Sequence, residues 1–186
     1  ELVEKVRVAA AQAPPGQWIL GNGWLQDKWE VKPEKMVKGF QTHEMLSAVS
    51  PNNPVWLRHA SGHAGFANAK AMELAGVNPL SKEGLNIAVE GGEIIKDKMG
   101  NPTGIFNERA MALITKHIPE NTPERDAQAL ELAMETCARN GITSFHDAGA
   151  SRSDIELFNQ FNKEQKLKSR LYVMLTGRDR SLIHEW

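Results

Sequence analysis

The chain has 186 residues, 41% of them hydrophobic and 24% charged, with a net charge of −1. That length suits one ordinary domain, or one domain with a small insert, and the composition can build a core. A near-neutral charge excludes the basic footprint that nucleic acid requires and offers nothing to an anionic membrane surface. No apolar run approaches the ~18 residues needed to span a bilayer. The single cysteine, Cys137, rules out an internal disulfide. A cytoplasmic location is therefore expected.

Residues 1–13 predict a helix with Leu2, Val6 and Ala9–Ala11 on its apolar side, ended by Pro14-Pro15-Gly16. Trp18-Ile19-Leu20 predicts a short strand stopped by Gly21-Asn22-Gly23, with Trp24 and Trp29 in a polar loop beyond it. Residues 34–48 predict a weak helix around Met36, Val37, Phe40, Met45 and Leu46. Ser50-Pro51-Asn52-Asn53-Pro54 is a dense turn signal. Val55–His59 predicts a buried strand running into the small-residue loop Ala60–Gly65. A helix is expected at 67–75, closed by Gly76 as a C′ glycine, then a loop over 77–86 with Pro79 and Gly84.

Residues 91–108, GGEIIKDKMGNPTGIFNE, hold the densest pattern. Ile94-Ile95 leads into a turn at Asp97–Gly100, and Pro102-Thr103-Gly104 predicts a second break before a helix carrying Ile105, Met111 and Ile114. Glu108 then falls in the first turn of that helix, where unpaired N–H groups favour a carboxylate. A carboxylate held at such a junction is a plausible hard ligand for a metal. Thr122-Pro123-Glu124 starts a helix with Thr as N-cap and Pro at the first position, and Asn140-Gly141 ends it. Cys137 sits in its apolar stripe and is expected to be a buried small hydrophobe. A strand at 142–145 ending at His146-Asp147, a helix at 153–165 and a strand at 169–175 make a βαβ unit.

In parallel α/β folds functional groups gather at the carboxyl ends of strands. His59, His63, His146 and Asp147 occupy such places. His59 and His63 have i,i+4 spacing, but the strand before them and Ser61-Gly62 argue against a helical two-histidine clamp. His63, in a small-residue loop, suits a hydrogen bond to substrate, because backbone at glycine approaches a ligand closely. His43, His117 and His184 read as surface residues. No GxSxG elbow, GxxxxGK[ST] loop, HExxH or CxxC occurs.

Five stretches in order are similar to the family 3 amidohydrolases, the YtcJ-like metal-dependent hydrolases related to N-substituted formamide deformylase. Trp18–Trp24 resembles that family's GxGW segment, and Ala48–Val55 its AVSPDNPV. Ser61–Asn68 resembles its DGHxxxxN, Gly91–Glu108 its GGxIxRDxxGxPTGxLxE, and Gly141–Gly149 its GITSVHDAG. Three positions depart: Ser61 replaces an aspartate, Lys96 an arginine, and Leu25 a frequent aspartate.

The resemblance implies part of a (β/α)8 barrel carrying an α+β inserted subdomain. Segment bounds follow as 1–49 for a barrel-edge helix and strand, 50–105 for the insert and 106–186 for a βαβ barrel segment. It implies hydrolysis of non-peptide C–N bonds in a small amide-type substrate at a divalent metal, with zinc expected. Glu108 becomes the metal-bridging carboxylate, and His63 and His146 the catalytic histidines that face substrate. The family's HxH pair and its late histidines and aspartate do not occur here. The chain also lacks an initial Met, so an internal fragment without independent activity is expected. Uncovered barrel edges would let such a fragment pair as a homodimer. The competing expectation is a stand-alone, non-catalytic binding or interaction module.

Overall fold

The computed structural model describes residues 1–77 and 87–186, so most of the loop expected at 77–86 lies outside the described residues. The chain divides into two compact units, Glu1–Pro119 and Glu120–Trp186, both mixed α/β.

In the first unit, α1 (Leu2–Gln12) precedes β1 (Ile19–Trp24). A small hairpin of β2 (Met36–Val37) and β3 (Phe40–Gln41) leads to α2 (Glu44–Val49). Then come β4 (Val55–His59), β5 (Ala64–Ala67) and α3 (Ala69–Leu74). The described chain resumes into β6 (Gly92–Lys96), β7 (Pro102–Glu108), a 3-10 turn at Arg109–Met111 and α4 (Ala112–Thr115). Five strands form one sheet in the order β1-β4-β5-β7-β6, with β1 parallel to β4 and the other pairs antiparallel.

Strand side chains alternate between faces, and here both faces are apolar. Val55, Leu57, Phe66, Ile95 and Ile105 pack with Val6 of α1 and Leu46 of α2. Trp56, Ala67, Ile94 and Phe106 pack with Ala71 and Met72 of α3 and Ile114 of α4. Asn68 caps α3, and Gly76 follows it at φ +70°.

In the second unit, α5 (Pro123–Arg139) is capped by the Thr122 side chain, which accepts from Arg125 N–H. β8 (Ser144–Ala150) and β9 (Arg170–Leu175) pair in parallel through α6 (Arg152–Lys163), and α7 (Arg180–Glu185) follows. Ser151 and Asp154 form a capping box at the start of α6. The βαβ expectation holds. β9 is not covered on both faces: Tyr172 is 64% exposed and Met174 40%.

Several local expectations are corrected. β1 runs through Gly21-Asn22-Gly23 and ends at a buried Trp24, since Gly23 at φ +88° makes a bulge against β4 and not a stop. Residues 34–48 do not form one helix. Lys38 and Gly39, both at positive φ, turn a hairpin, and only 44–49 is helical. Ala64–Ala67 is strand. Residues 102–108 are also strand: Pro102 stands at the strand's start, where a missing N–H is tolerated, and the Thr103 hydroxyl donates to Ile95 O at 2.9 Å. Cys137 is only half-buried. His43 is half-buried too, with Nδ1 3.0 Å from Ser47 Oγ. Among the described residues no helix is long and apolar enough to cross a membrane.

Candidate functional site

Glu108 is the last residue of β7, at φ +50°, and not part of a helix. Its side chain caps none of the N–H groups that follow, and the 3-10 turn there is three residues long. The helix-start argument for its carboxylate therefore fails. A different neighbour replaces it. His63 Nδ1 lies 3.0 Å from Glu108 Oε1, and Glu108 N–H donates to His63 O at 2.9 Å. The β5–β7 register places Ala64 opposite Asn107, which carries the two adjoining residues to one end of the ladder. Two residues 45 positions apart, singled out separately in the sequence, are thus brought together.

Gly91 and Gly92 shape the other side. Gly92 pairs with Glu108, and a Cβ on it would fall 2.3 Å from Ala110 N and 3.0 Å from Arg109 N. Only glycine lets β6 approach the backbone beyond Glu108 this closely. Gly91 O accepts from Arg109 N–H at 3.3 Å.

The pair lies in an open cleft of about 590 Å³, whose lining includes Gln26, Asp27, His59, Ser61, Glu93 and Asn107. Asn107 Oδ1 is buried and has no hydrogen-bond partner. Glu93 is paired with Lys38 Nζ at 2.5 Å. His59 ends β4, and its ring stands edge-on to Trp24 at 4.5 Å. Burial pushes its pKa below the ordinary histidine value, against the opposing pull of the Asp27 carboxylate. Gln26, Asn107 and the cleft role of Gly91-Gly92 were not legible from residue type and spacing. Their signal is positional, since each enters only when β1, β6 and β7 are ordered in the sheet.

His146 lies in the second unit, inside β8 and not at a strand end, because β8 continues through Asp147 to Ala150. It pairs with Tyr172, their rings 5.0 Å apart, and is exposed.

A hydrolytic divalent-metal site takes three or more protein ligands and an open position. Among the described residues no three His, Cys, Asp or Glu side chains could jointly hold an ion. The His63–Glu108 contact uses Nδ1 and Oε1, so Nε2 and Oε2 are what each side chain has left to offer. The described residues therefore do not complete a metal site by themselves. The pair can orient an imidazole: with Nδ1–H donated to the carboxylate, Nε2 keeps a lone pair for a proton or a substrate.

The chain is similar to Protein LONG AFTER FAR-RED 3 of Arabidopsis thaliana, 28% identical over 98% of this chain and 31% of that protein. It is 30% identical to N-substituted formamide deformylase of Arthrobacter pascens, over 95% of this chain and 31% of the relative. Among solved structures, an uncharacterized metal-dependent hydrolase from Pyrococcus furiosus matches with a TM-score of 0.56 at 25% identity. That match covers 99% of this chain and 33% of the other. The chain thus spans about a third of the length of the curated relatives it matches. A model of the Amidohydrolase family matches residues 1–185, and the chain belongs to that family.

Proposed function

We propose that the chain is a middle portion of a metal-dependent amidohydrolase with a (β/α)8 barrel, acting on the non-peptide C–N bond of a small amide-type substrate. The observation that carries this reading is the His63–Glu108 contact of 3.0 Å at the cleft, on adjacent ends of β5 and β7. The family membership and the hydrolases among its relatives support it. Glu108 contributes a carboxylate oxygen to a divalent metal, zinc by expectation, whose other ligands lie on polypeptide outside these residues. Such a metal, when bound, lowers the pKa of a coordinated water and polarises a carbonyl.

This chain's own residues do the positioning. Glu108 Oε1 holds the His63 ring by Nδ1, and His63 Nε2 meets the substrate or the proton that moves in the reaction. His146 is assigned a substrate contact on β8. A cytoplasmic location rests on the single cysteine. In the full-length protein, Glu108→Ala should lose bound metal by elemental analysis while still folding. Full metal content in a folded Glu108→Ala protein would remove Glu108 from this role.

A further inference from the structure

The turn between β4 and β5 holds a hydrogen-bond chain whose proton directions are fixed. Ser61 N–H donates to His59 Nδ1 at 3.1 Å. A backbone amide can only donate, so Nδ1 is bare and neutral His59 carries its proton on Nε2. Nε2 lies 3.2 Å from Gln26 Oε1, an acceptor, which agrees. Ser61 Oγ sits 2.8 Å from the same Nδ1 and accepts from His63 N–H at 3.2 Å. The hydroxyl proton of Ser61 is therefore directed at His59, and an oxygen lone pair at His63. A second proton on His59 would oppose both donors from Ser61.

The His59 ring is held firmly enough to act as a fixed point. It meets the edges of Trp24 at 4.5 Å and Phe40 at 6.5 Å. Trp24 is itself pinned, its Nε1–H donating to Leu57 O at 2.8 Å. Burial holds the His59 pKa down, in keeping with a neutral ring.

We propose that His59 is a positioning residue: locked as its Nε2–H tautomer between Gln26 and Ser61, it sets the turn from which His63 presents Nδ1 to Glu108. The proposal rests on the reading of His63 and Glu108 as site residues. The path runs from Gln26 Oε1 through His59, the Ser61 hydroxyl and the His63 amide to the His63–Glu108 contact. Its consequence is a single His63 tautomer, with the proton on Nδ1 and the lone pair on Nε2. The His63 side chain is exposed, 72% accessible, so the orientation of its ring follows from the backbone that carries it.

The test reads the His63 tautomer in the full-length protein by ¹⁵N NMR with labelled histidine. The pH is set at about 8.5, where an ordinary imidazole is neutral. The His63 signals are assigned by their loss in His63→Gln. The wild type should show one state, protonated on Nδ1. Ser61→Ala and His59→Leu should move the two nitrogen shifts toward a common average. His59→Asn, whose Oδ1 can accept from Ser61 in place of Nδ1, should restore the wild-type pattern. Unchanged His63 shifts in Ser61→Ala would overturn the proposal, as would a wild type protonated on Nε2. Ser61 is exposed, so its variant keeps the test open if His59→Leu fails to fold. Metal content of Glu108→Ala judges the metal reading separately: metal retained there, with His63 scrambled in Ser61→Ala, would sink that reading and leave the positioning role standing.

Discussion

Asn68→Ala should be the most damaging small substitution in the first unit. Asn68 is fully buried, and its side chain ties three segments together. Oδ1 accepts from Val55 N–H and from Ala71 N–H, both at 2.9 Å. Nδ2 donates to Ser50 O at 3.0 Å, Ser50 Oγ at 2.9 Å and Asn53 O at 2.8 Å. Alanine removes the cap of α3, a loss of about 1 kcal/mol. It also strands the Val55 N–H, at 0% exposure, at roughly 1–3 kcal/mol, and weakens two buried carbonyls by about 1 kcal/mol more. The total is about 4 kcal/mol. With a urea slope of about 2 kcal/mol/M, the unfolding midpoint should fall by about 2 M. Tryptophan fluorescence reports it, because Trp24 and Trp56 are buried in this unit. Asn68→Asp keeps the acceptor but sets a carboxylate oxygen against two carbonyls, so it should do no better. A midpoint shift below about 0.5 M for Asn68→Ala would refute the reasoning, since the network would then carry almost nothing.

Gly92→Ala should destabilise by at least about 1–3 kcal/mol, because its Cβ would overlap the Ala110 backbone at 2.3 Å; Gly177→Ala, with open space around it, should stay within about 0.5 kcal/mol. Equal urea midpoints for the two variants would contradict the close approach of β6 to the backbone after Glu108. Burial works against the charge on Glu44, but the Lys35 ammonium and the Thr42 hydroxyl outweigh it and hold the carboxyl at about 2. A depressed carboxyl stabilises the fold above its unfolded value and loses that contribution as pH falls from about 4.5 to 2. Glu44→Gln should flatten the acid limb of the stability curve in that window, and an unchanged limb by urea titration would refute the pairing.

Legibility followed the range of each signal. α1 and α5 were readable because helix limits are written locally, in Pro14-Pro15 and in Thr122-Pro123, and α6 from its apolar residues Ile155, Leu157, Phe158 and Phe161. β4 was readable from Val55-Trp56-Leu57 and β9 from the unbroken apolar run Leu171–Leu175. The errors came where glycine and proline act through distant neighbours. Gly21 sits in a strand because a Cβ there would meet Leu57 at 2.8 Å, and Gly104, at φ +94°, because one would meet Ala67 O at 2.5 Å. Both are packing devices that read as breaks when the partner strand is unseen. The hairpin at 36–41 was hidden because strands of two residues have no period, and Met36, Val37 and Phe40 imitate a helical face.

The site followed the same rule. His63 and Glu108 were marked by type and by family motif, but their contact depends on the β5–β7 register. His59 was marked by its place at the end of a strand and weighed as half of a helical clamp. Its tautomer lock needs Gln26, 33 residues away, and a turn geometry that spacing does not encode.

The central claim is that Glu108 holds part of a metal centre. Anomalous diffraction at the zinc edge, on crystals of the full-length zinc-loaded protein, tests it most directly. A peak at ligand distance from a Glu108 carboxylate oxygen, about 2.0–2.2 Å, is the predicted result. A fully occupied metal peak elsewhere, with Glu108 touching only His63, would contradict it.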